Sequence, residues 1–421
     1  MEKTIHVVAL DLGTSKIAGM VARKNEEGTL SILASEQILS DKCIRRGYIF
    51  NMEETTNKVS LLIARLNRKL DSPIEKIYIG VGGQSIRTEP FSIKKEVPKG
   101  VVTQDLLDAI TEEAQDFELD SLETLAVVSP EYYLDGQLES NPKGAICSVI
   151  DARFNLIVGR STLKEKLIPA IRRSKQEVAK FLISPLATAE AVLTEKEKEL
   201  GCALVEFGAG VTYVSVYKGG LLRYLVTIPL GGAVITKDIR SIDILDAEEF
   251  KIKHGSALSE PNEENQVNVV IEARADEIIE NVVRQIGESG YAQSLGGGII
   301  ITGGAAQLKD LPELIRTKTG KEVRLASTNR KLVNQAVDLS QNPENSCIIG
   351  MLFMGTEECL KEKEEEVPFV KAGETNLFGE IDNQGERKTR KEKKKTDNIF
   401  TKLTRKMEGM SNSLFNEETE E

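Results

Sequence analysis

One pattern occurs twice in the chain and restricts the fold more than any other feature. In each copy an apolar strand runs into an acidic residue, and glycine follows two positions later. Superposing residues 203–210 on residues 8–15 places Glu206 on Asp11 and aligns the two glycines. A chain of 421 residues is too long for one compact core. The pattern therefore predicts an internal duplication, with two lobes that each carry one strand–turn–strand hairpin.

The first hairpin has the composition of a phosphate-binding loop. Gly13 lets the backbone approach a ligand closely, and the amides of the turn can donate to phosphate oxygens, with further donors from Thr14 and Ser15. Asp11, at a strand end, is placed to hold a divalent cation (Mg²⁺) through water, and Lys16 to neutralise phosphate charge. A hairpin built only of turn-forming residues explains the same segment equally well.

The second hairpin, at 206–212, makes the phosphate interpretation more specific. Glu206 supplies another acid, and Gly208 and Gly210 supply two more glycines. Two such hairpins facing each other are expected to clamp the β- and γ-phosphates of a nucleotide between the lobes. A third glycine turn after an apolar strand, at 301–305, suits close approach of an adenosine. The candidate nucleotide-binding residues are Asp11, Gly13, Thr14, Ser15, Lys16, Glu206, Gly208, Gly210, Thr212, Gly303, Gly304 and Ala305.

Helical spacing of apolar residues predicts helices over 52–70 and 163–180. Between them, from 84 to 160, the pattern changes to short strands around one helix, which starts at the N-cap Thr103 and ends near Phe117. This change predicts a small inserted α+β subdomain.

Three glycine turns after three apolar strands, in this order, resemble the nucleotide site of the actin/hexokinase/DnaK superfamily. In this resemblance residues 11–16 are the first phosphate loop, 206–212 the second and 302–305 the adenosine loop. Residues 184–191 and 342–352 resemble the two helices that connect the lobes, although simple core packing explains those helices as well. The resemblance implies a two-lobed α/β actin-like ATPase fold that binds ATP and Mg²⁺ in its cleft.

Within the superfamily the chain is most similar to the FtsA family, over nearly its whole length. In that family an inserted subdomain lies where residues 84–160 lie here, and the usual actin subdomain at that edge is missing. The similarity implies a first lobe at 1–83 with 161–184, the inserted subdomain at 84–160, a second lobe at 185–360 with 236–294 as its outer subdomain, a disordered linker at 361–396 and an amphipathic helix at 397–415.

Residues 247–258 resemble a helix in the second lobe of this family. There, Glu248 and Lys251 match positions that border the nucleoside. Spaced i, i+3, the two residues share one helix face. A solvated salt bridge explains them nearly as well.

The chain departs from the family at one position, because its second phosphate loop begins with Glu206 where Asp is usual. The extra methylene moves the carboxylate by about 1.5 Å, the length of one C–C bond. Positioning errors of that order can cost about a hundredfold in rate. We therefore expect ATP and Mg²⁺ to bind and hydrolysis to be slow or absent. No catalytic residue is assigned, and Glu206 is the one candidate.

The composition changes sharply after Lys361. Residues 361–396 contain few apolar anchors, which predicts a disordered linker. Residues 387–406 contain ten basic and two acidic residues, a net +8 within a chain of net charge −11. From residue 400 onward, apolar residues recur at helical spacing with basic residues beside the stripe. The stripe consists of Phe400, Leu403, Met407, Met410 and Leu414, and the basic residues are Lys402, Arg405 and Lys406.

A basic helix with an apolar stripe is typical of an interfacial membrane anchor, so residues 397–415 predict binding to an anionic membrane surface. A partner-binding helix, a nucleic-acid arm and an unstructured tail are the alternatives, and Gly409 weakens a helix here by about 1 kcal/mol. No apolar stretch reaches the roughly 20 residues of a transmembrane helix. Residues 1–23 alternate like a strand, and no signal peptide is expected.

Overall composition excludes some classes of protein. The net charge of −11 argues against a general nucleic-acid binder, because such domains are usually basic. The five cysteines are scattered and include no CxxC pair. Scattered cysteines suit a reducing cytosol better than a disulfide framework or a zinc site.

The similarity to the FtsA family implies an adaptor rather than a metabolic enzyme. Members of this family polymerise under the control of ATP and bind the C-terminal tail of FtsZ through the second lobe. They hold FtsZ at the cytoplasmic face of the cell membrane, at the division septum. Neighbouring protomers or other, later division proteins are expected at the inserted subdomain. The basic candidates for contact with an acidic tail are Lys237, Arg240, Lys251 and Lys253.

Two other functions are compatible with the same superfamily. A PilM-like cytoplasmic scaffold of pilus assembly should lack the basic amphipathic tail. A small-molecule kinase needs a catalytic base and a substrate pocket, and the sequence shows no candidate motif for either.

Overall fold

The computed structural model describes residues 4–128, 130–242, 244–259, 266–328 and 337–361. The predicted linker at 361–396, apart from Lys361, and the predicted helix at 397–415 lie outside the described residues.

The elements follow the chain from the first lobe through the inserted subdomain to the second lobe. Before the insertion they are β1 (Ile5–Leu12), β2 (Lys16–Lys24), β3 (Leu30–Leu39), β4 (Ile44–Arg45), β5 (Tyr48–Ile49), α1 (Met52–Asn67) and β6 (Lys76–Val81). The insertion contains β7 (Arg87–Glu96), α2 (Gln104–Gln115), β8 (Glu118–Leu119), β9 (Leu122–Val127), β10 (Glu131–Leu134), β11 (Gln137–Glu139) and β12 (Val149–Arg160). After it come α3 (Thr162–Arg173), β13 (Glu177–Ile183), α4 (Ser184–Val192), α5 (Glu195–Leu200), β14 (Cys202–Phe207), β15 (Thr212–Lys218), β16 (Leu221–Ile228), α6 (Gly232–Arg240), α7 (Ala247–His254), α8 (Gln266–Glu288), β17 (Ile299–Thr302), α9 (Leu311–Thr319), β18 (Val323–Leu325), α10 (Val337–Gln341) and α11 (Ser346–Met354).

The first lobe is built on a five-stranded sheet in the order β13-β6-β1-β2-β3. The first three strands form an antiparallel meander, whereas β1, β6 and β13 run parallel. Helix α1 packs on this sheet through one buried face that includes Val59, Leu62 and Leu66. It begins after Asn51, whose side chain accepts a hydrogen bond from the Glu54 amide and so caps the first turn.

The second lobe repeats this plan. Strands β14, β15 and β16 form an antiparallel meander, and β17 and β18 add to β14 in parallel. Helices α6, α8 and α9 share one apolar core with Ile299 and Ile301 of β17. In both lobes parallel strands extend the sheet from the first strand of the meander. The duplicated two-lobed fold predicted from the sequence is confirmed.

The inserted subdomain has its own apolar core, in which Ile110 of α2 lies with Ile150 and Phe154 of β12. Its sheet is joined to the second lobe, because β7 pairs with β16 at Arg87 and Val226. The strands of the insertion and of the second lobe therefore form one sheet. This continuity is not predicted from the sequence, since the paired residues lie far apart in the chain.

The predicted helix over 163–180 is wrong in its second half. Helix α3 ends at Arg173, Lys175 turns the chain with a φ of 67°, and β13 starts at Glu177. The residues after the turn complete the parallel edge of the first-lobe sheet beside β6. Periodicity alone cannot distinguish a helix from a strand in a short apolar segment. Here pairing with β6 makes the segment a strand.

Helices α4 and α11 connect the lobes and lie against each other. The contact is close at Gly350, where a Cβ atom would lie 1.7 Å from the carbonyl oxygen of Ala187. A hydrogen bond from Cys347 Sγ to the carbonyl of Ser184 joins the same helices. The small residues of both helices thus permit contact between backbones.

Candidate functional site

The two hairpins close in the same way. The Gly13 amide donates to the Lys16 carbonyl over 3.0 Å, and the Gly208 amide donates to the Val211 carbonyl over 3.0 Å. A Cβ atom on Gly13 would lie 2.8 Å from the Lys16 carbonyl oxygen, and a Cβ atom on Gly208 would lie 2.9 Å from the Val211 carbonyl oxygen. Both distances are too short for a real Cβ contact. Glycine is therefore required by close backbone approach in both turns.

The turns of the two hairpins lie against each other. A Cβ atom on Gly210 would lie 2.5 Å from Thr14 Oγ1. That hydroxyl also accepts a hydrogen bond from the Arg46 amide over 3.0 Å. The structure therefore brings the first and second predicted phosphate loops together at the boundary between the lobes.

The carboxyl groups of Asp11 and Glu206 are close enough for their charges to interact. Burial raises the pKa of Asp11 to about 6, against a lowering effect of the Lys16 ammonium. Burial raises the pKa of Glu206 to about 8; a hydrogen bond from Thr188 opposes this shift, and the Asp11 charge adds to it. Asp11 thus ionises first, and its charge then opposes ionisation of Glu206. Oxygen Oε2 of Glu206 is buried and has no hydrogen-bond partner among the described residues.

Lys16 forms an ion pair that crosses from the first lobe to the second. Its ammonium lies 2.9 Å from Oε1 of Glu344, and both side chains are partly buried. Glu344 also lies beside the third glycine turn, because a Cβ atom on Gly304 would be 3.7 Å from the Glu344 Cβ. Sequence analysis missed Glu344, since no motif signals a partner so distant along the chain.

The third glycine turn packs on the second hairpin. Gly303 has a φ of 94°, a conformation that favours glycine, and a Cβ atom there would meet the Phe207 carbonyl oxygen at 2.5 Å. Ala305 contacts the start of α6, where a Cβ atom on Gly232 would lie 2.8 Å from the Ala305 Cβ. The predicted adenosine loop and second phosphate loop are therefore adjacent.

Lys251 points inward from α7. Its ammonium donates to the Gly232 carbonyl over 3.1 Å and to Thr236 Oγ1 over 2.8 Å, and it pairs with Glu248 over 2.8 Å. Both members of the predicted pair thus meet at the start of α6, beside the adenosine loop. Lys251 is consequently not available to an acidic tail on the outer surface, which corrects that candidate; Lys237, Arg240 and Lys253 are exposed.

Two further hydroxyl groups differ in their availability. Thr212 is fully buried, and its Oγ1 donates to the Leu230 carbonyl over 2.9 Å, so it braces the hairpin instead of facing the cleft. Ser15 is exposed at the tip of the first turn, and its carbonyl accepts a hydrogen bond from the Ser40 amide.

Comparison with known proteins identifies the family of the chain. The family model described as Cell division protein FtsA matches residues 203–350. The Cell division protein FtsA of Porphyromonas gingivalis is 32% identical over 382 residues, which cover 85% of this chain and 79% of that protein. The chain belongs to the FtsA family. A second FtsA, from Escherichia coli K12, is 27% identical over 390 residues, 85% of this chain and 92% of that protein.

Among solved structures, a chain of the PilM–PilN type IV pilus biogenesis complex superposes with a TM-score of 0.63. It is 15% identical, and the match covers 83% of this chain and 98% of that one. At that identity the likeness concerns the fold alone, which is the actin-like ATPase fold expected for FtsA.

The part of the chain that the structure describes contains no cluster of three metal-binding side chains. It also contains no helix with the length and apolarity of a membrane span.

Proposed function

We propose that this FtsA-family chain binds Mg-ATP between its two hairpins and uses it to control self-assembly. The observation that supports the proposal is the pair of hairpins with equivalent closing hydrogen bonds, which lie against each other across the lobe boundary. The Gly13 and Gly208 amides close their own turns, so the Lys16 ammonium and the exposed Ser15 hydroxyl are the more suitable donors for phosphate oxygens. The adjacent turn at Gly303 would then receive the adenosine.

The acids behind the hairpins fit Mg²⁺. Asp11 and Glu206 provide carboxylate oxygens, the ligands that Mg²⁺ prefers, and Oε2 of Glu206 is buried without a hydrogen-bond partner among the described residues. A cation held by two carboxylates usually keeps several waters and binds substrate phosphates as well. When bound, it would neutralise charge on the phosphates. The protein contributes the position of the two acids, at the ends of equivalent strands β1 and β14.

We predict that Glu344 competes with the nucleotide for Lys16. Glu344→Gln should tighten Mg-ATP binding by roughly three- to tenfold, because removing a partly exposed ion pair is worth about 1 kcal/mol. Lys16→Ala should weaken binding by at least about tenfold. Calorimetric titration of the full chain with Mg-ATP measures both.

Glu357→Gln is the matched control, since it removes another Lys–Glu ion pair, with Lys76 at 3.2 Å, outside the cleft. Its affinity for ATP should equal that of the wild type. Unchanged affinity in Glu344→Gln would show that the Lys16 ion pair does not face the nucleotide.

We further propose that the outer subdomain of the second lobe receives the C-terminal tail of FtsZ. Two apolar side chains are unusually exposed on it, Leu245 by 89% and Ile252 by 73%. Lys237 and Arg240 lie on α6, and Lys253 lies next to Ile252 on α7. Apolar side chains with basic neighbours suit a short amphipathic segment of acidic charge.

The membrane link is proposed from sequence alone, because residues 397–415 lie outside the described part of the chain. Burying the five apolar residues of the stripe yields at most roughly 1.5–3 kcal/mol each, and each adjacent basic residue adds about 1 kcal/mol near anionic lipid. Helix formation offsets much of this, so one tail binds reversibly. Many tails on one polymer bind firmly by avidity, which would place FtsZ at the cytoplasmic face of the membrane, at the division septum.

Co-sedimentation with anionic liposomes in Mg-ATP tests the adaptor. We expect FtsZ from the same source to pellet with the full chain and not with a version that ends at Lys395. Ile252→Glu should still reach the liposomes and lose FtsZ. The control Ile146→Glu changes a residue of the inserted subdomain that is 84% exposed, and it should keep both activities.

The other outcomes distinguish the alternatives. If the full chain reaches liposomes without FtsZ, the anchor stands and another actin-like scaffold becomes the better interpretation. If neither version reaches liposomes, the tail is not an anchor and a cytoplasmic scaffold like PilM is favoured.

A further inference from the structure

Tyr213 joins the two lobes directly. It lies on β15 opposite Glu206, with which it pairs in the ladder of the second hairpin. Its hydroxyl accepts a hydrogen bond from the Gly83 amide of the first lobe over 2.7 Å. The fit is close, because a Cβ atom on Gly82 would lie 2.5 Å from that hydroxyl. The second phosphate hairpin is thus tied to the end of β6.

Gly83 lies at the root of the inserted subdomain. Its carbonyl accepts a hydrogen bond from the Ile86 amide over 3.2 Å, at the start of the chain's entry into β7. Ser85 Oγ accepts one from the Arg160 amide over 3.1 Å, at the exit from β12. Tyr48 hydrogen-bonds to the same Ser85 hydroxyl over 2.8 Å. The entry and exit of the insertion are therefore held together two residues from the Tyr213 contact.

The insertion is also bonded to the second lobe. Thr227 Oγ1 donates to the Ile86 carbonyl over 2.7 Å, and the Leu225 amide donates to Thr88 Oγ1 over 2.9 Å. Both bonds come from β16, which pairs with the Tyr213 strand β15. While these bonds and the Tyr213 bond hold, a movement of the second lobe also moves the segment from Gly83 to Thr88.

We propose that Tyr213 is a positioning residue that transmits nucleotide occupancy from the second hairpin to the inserted subdomain through the Gly83 amide. This inference rests on the proposed nucleotide site. Hydrogen bonds weaken steeply with distance and angle, so a shift of the hairpin by about 1 Å decides whether the bond to Gly83 exists. Nucleotide that holds the hairpin in place holds the bond and orders the root of the insertion. The coupling then links the cleft with the surface of the insertion.

Hydrogen exchange in the full chain tests the coupling. In the wild type, Mg-ATP should slow amide exchange over residues 84–96 by roughly tenfold, as expected for a suppressed local opening. Tyr213→Phe removes the hydroxyl alone and should lose this slowing while its ATP affinity, measured on the same samples, stays within about threefold. Tyr217→Phe is the matched control, since Tyr217 is a buried tyrosine on the same face of β15; it should behave as the wild type.

Ser85→Ala interrupts the route outside the cleft and should lose the slowing as Tyr213→Phe does, so it decides the question if Tyr213→Phe does not fold. Slowing that persists in these two variants overturns the coupling. A wild type that binds ATP without any change in amide exchange at 84–96 also overturns it. Loss of ATP binding in Tyr213→Phe overturns it as well, because Tyr213 would then be part of the nucleotide site. A wild type that does not bind ATP instead removes the proposed function and, with it, the inference.

Discussion

Replacing Gly350 by alanine should destabilise the protein by about 3 kcal/mol, the upper end for overpacking a core. The added Cβ atom would lie 1.7 Å from the Ala187 carbonyl oxygen and 2.4 Å from its carbon. Neither atom belongs to a flexible side chain, so helices α4 and α11 must move apart. These helices connect the lobes, and their separation also disturbs the cleft. Thermal and urea unfolding measure the loss.

The chain offers a matched control in Gly287, which is also in a helix, α8, and has open space where its Cβ atom would be. Gly287→Ala should be neutral or stabilise the protein by roughly 0.5–1 kcal/mol, because alanine is the better helix former. Equal stability of the two variants would contradict the close crossing of the connecting helices.

Local patterns predicted the duplicated hairpins well. The acid, the glycine two positions later and the flanking apolar strands are all within a few residues of each other, and a turn with close backbone approach needs that combination. The same reasoning predicted the cap of α2, where the Thr103 side chain accepts from the Leu106 amide. Lys251 had two predicted roles, at the border of the nucleoside and in contact with an acidic tail, and its inward contacts with Gly232 and Thr236 are compatible with the first role only.

Contacts between distant residues were not predictable. Glu344 pairs with Lys16 across 328 positions of the chain, and Tyr213 reaches Gly83 across 130. Such pairs exist because two lobes and two connecting helices bring their elements together, and no local pattern encodes that arrangement. The joining of the inserted sheet to β16 has the same origin. The strand β13 was mistaken for helix because its neighbour in the sheet, β6, lies far away in sequence.

Replacing Glu206 by glutamine should change how stability depends on pH. The folded pKa of about 8 exceeds the ordinary value of about 4.5 for an unfolded chain. Between these values the folded state holds a proton that the unfolded chain has released, so wild-type stability falls as pH rises through this window. Glutamine cannot ionise. Glu206→Gln should therefore be more stable than the wild type by on the order of 3 kcal/mol at pH 8.5, and by little at pH 4.5. Melting temperatures across this range measure the difference.

Asp11→Asn provides the second arm of this test, because it removes the charge that raises the pKa of Glu206 and leaves the carboxyl itself. Its stability should decline over a lower pH range than that of the wild type. Parallel pH profiles for Glu206→Gln and the wild type would mean that Glu206 is hydrated and ionised at neutral pH. Added Mg-ATP should reduce the difference between the variants above pH 7, since a cation beside the two acids favours their ionised forms. A buried acid with one oxygen that accepts no hydrogen bond is costly when it is charged, and the proposed cation is the ligand that would offset this cost.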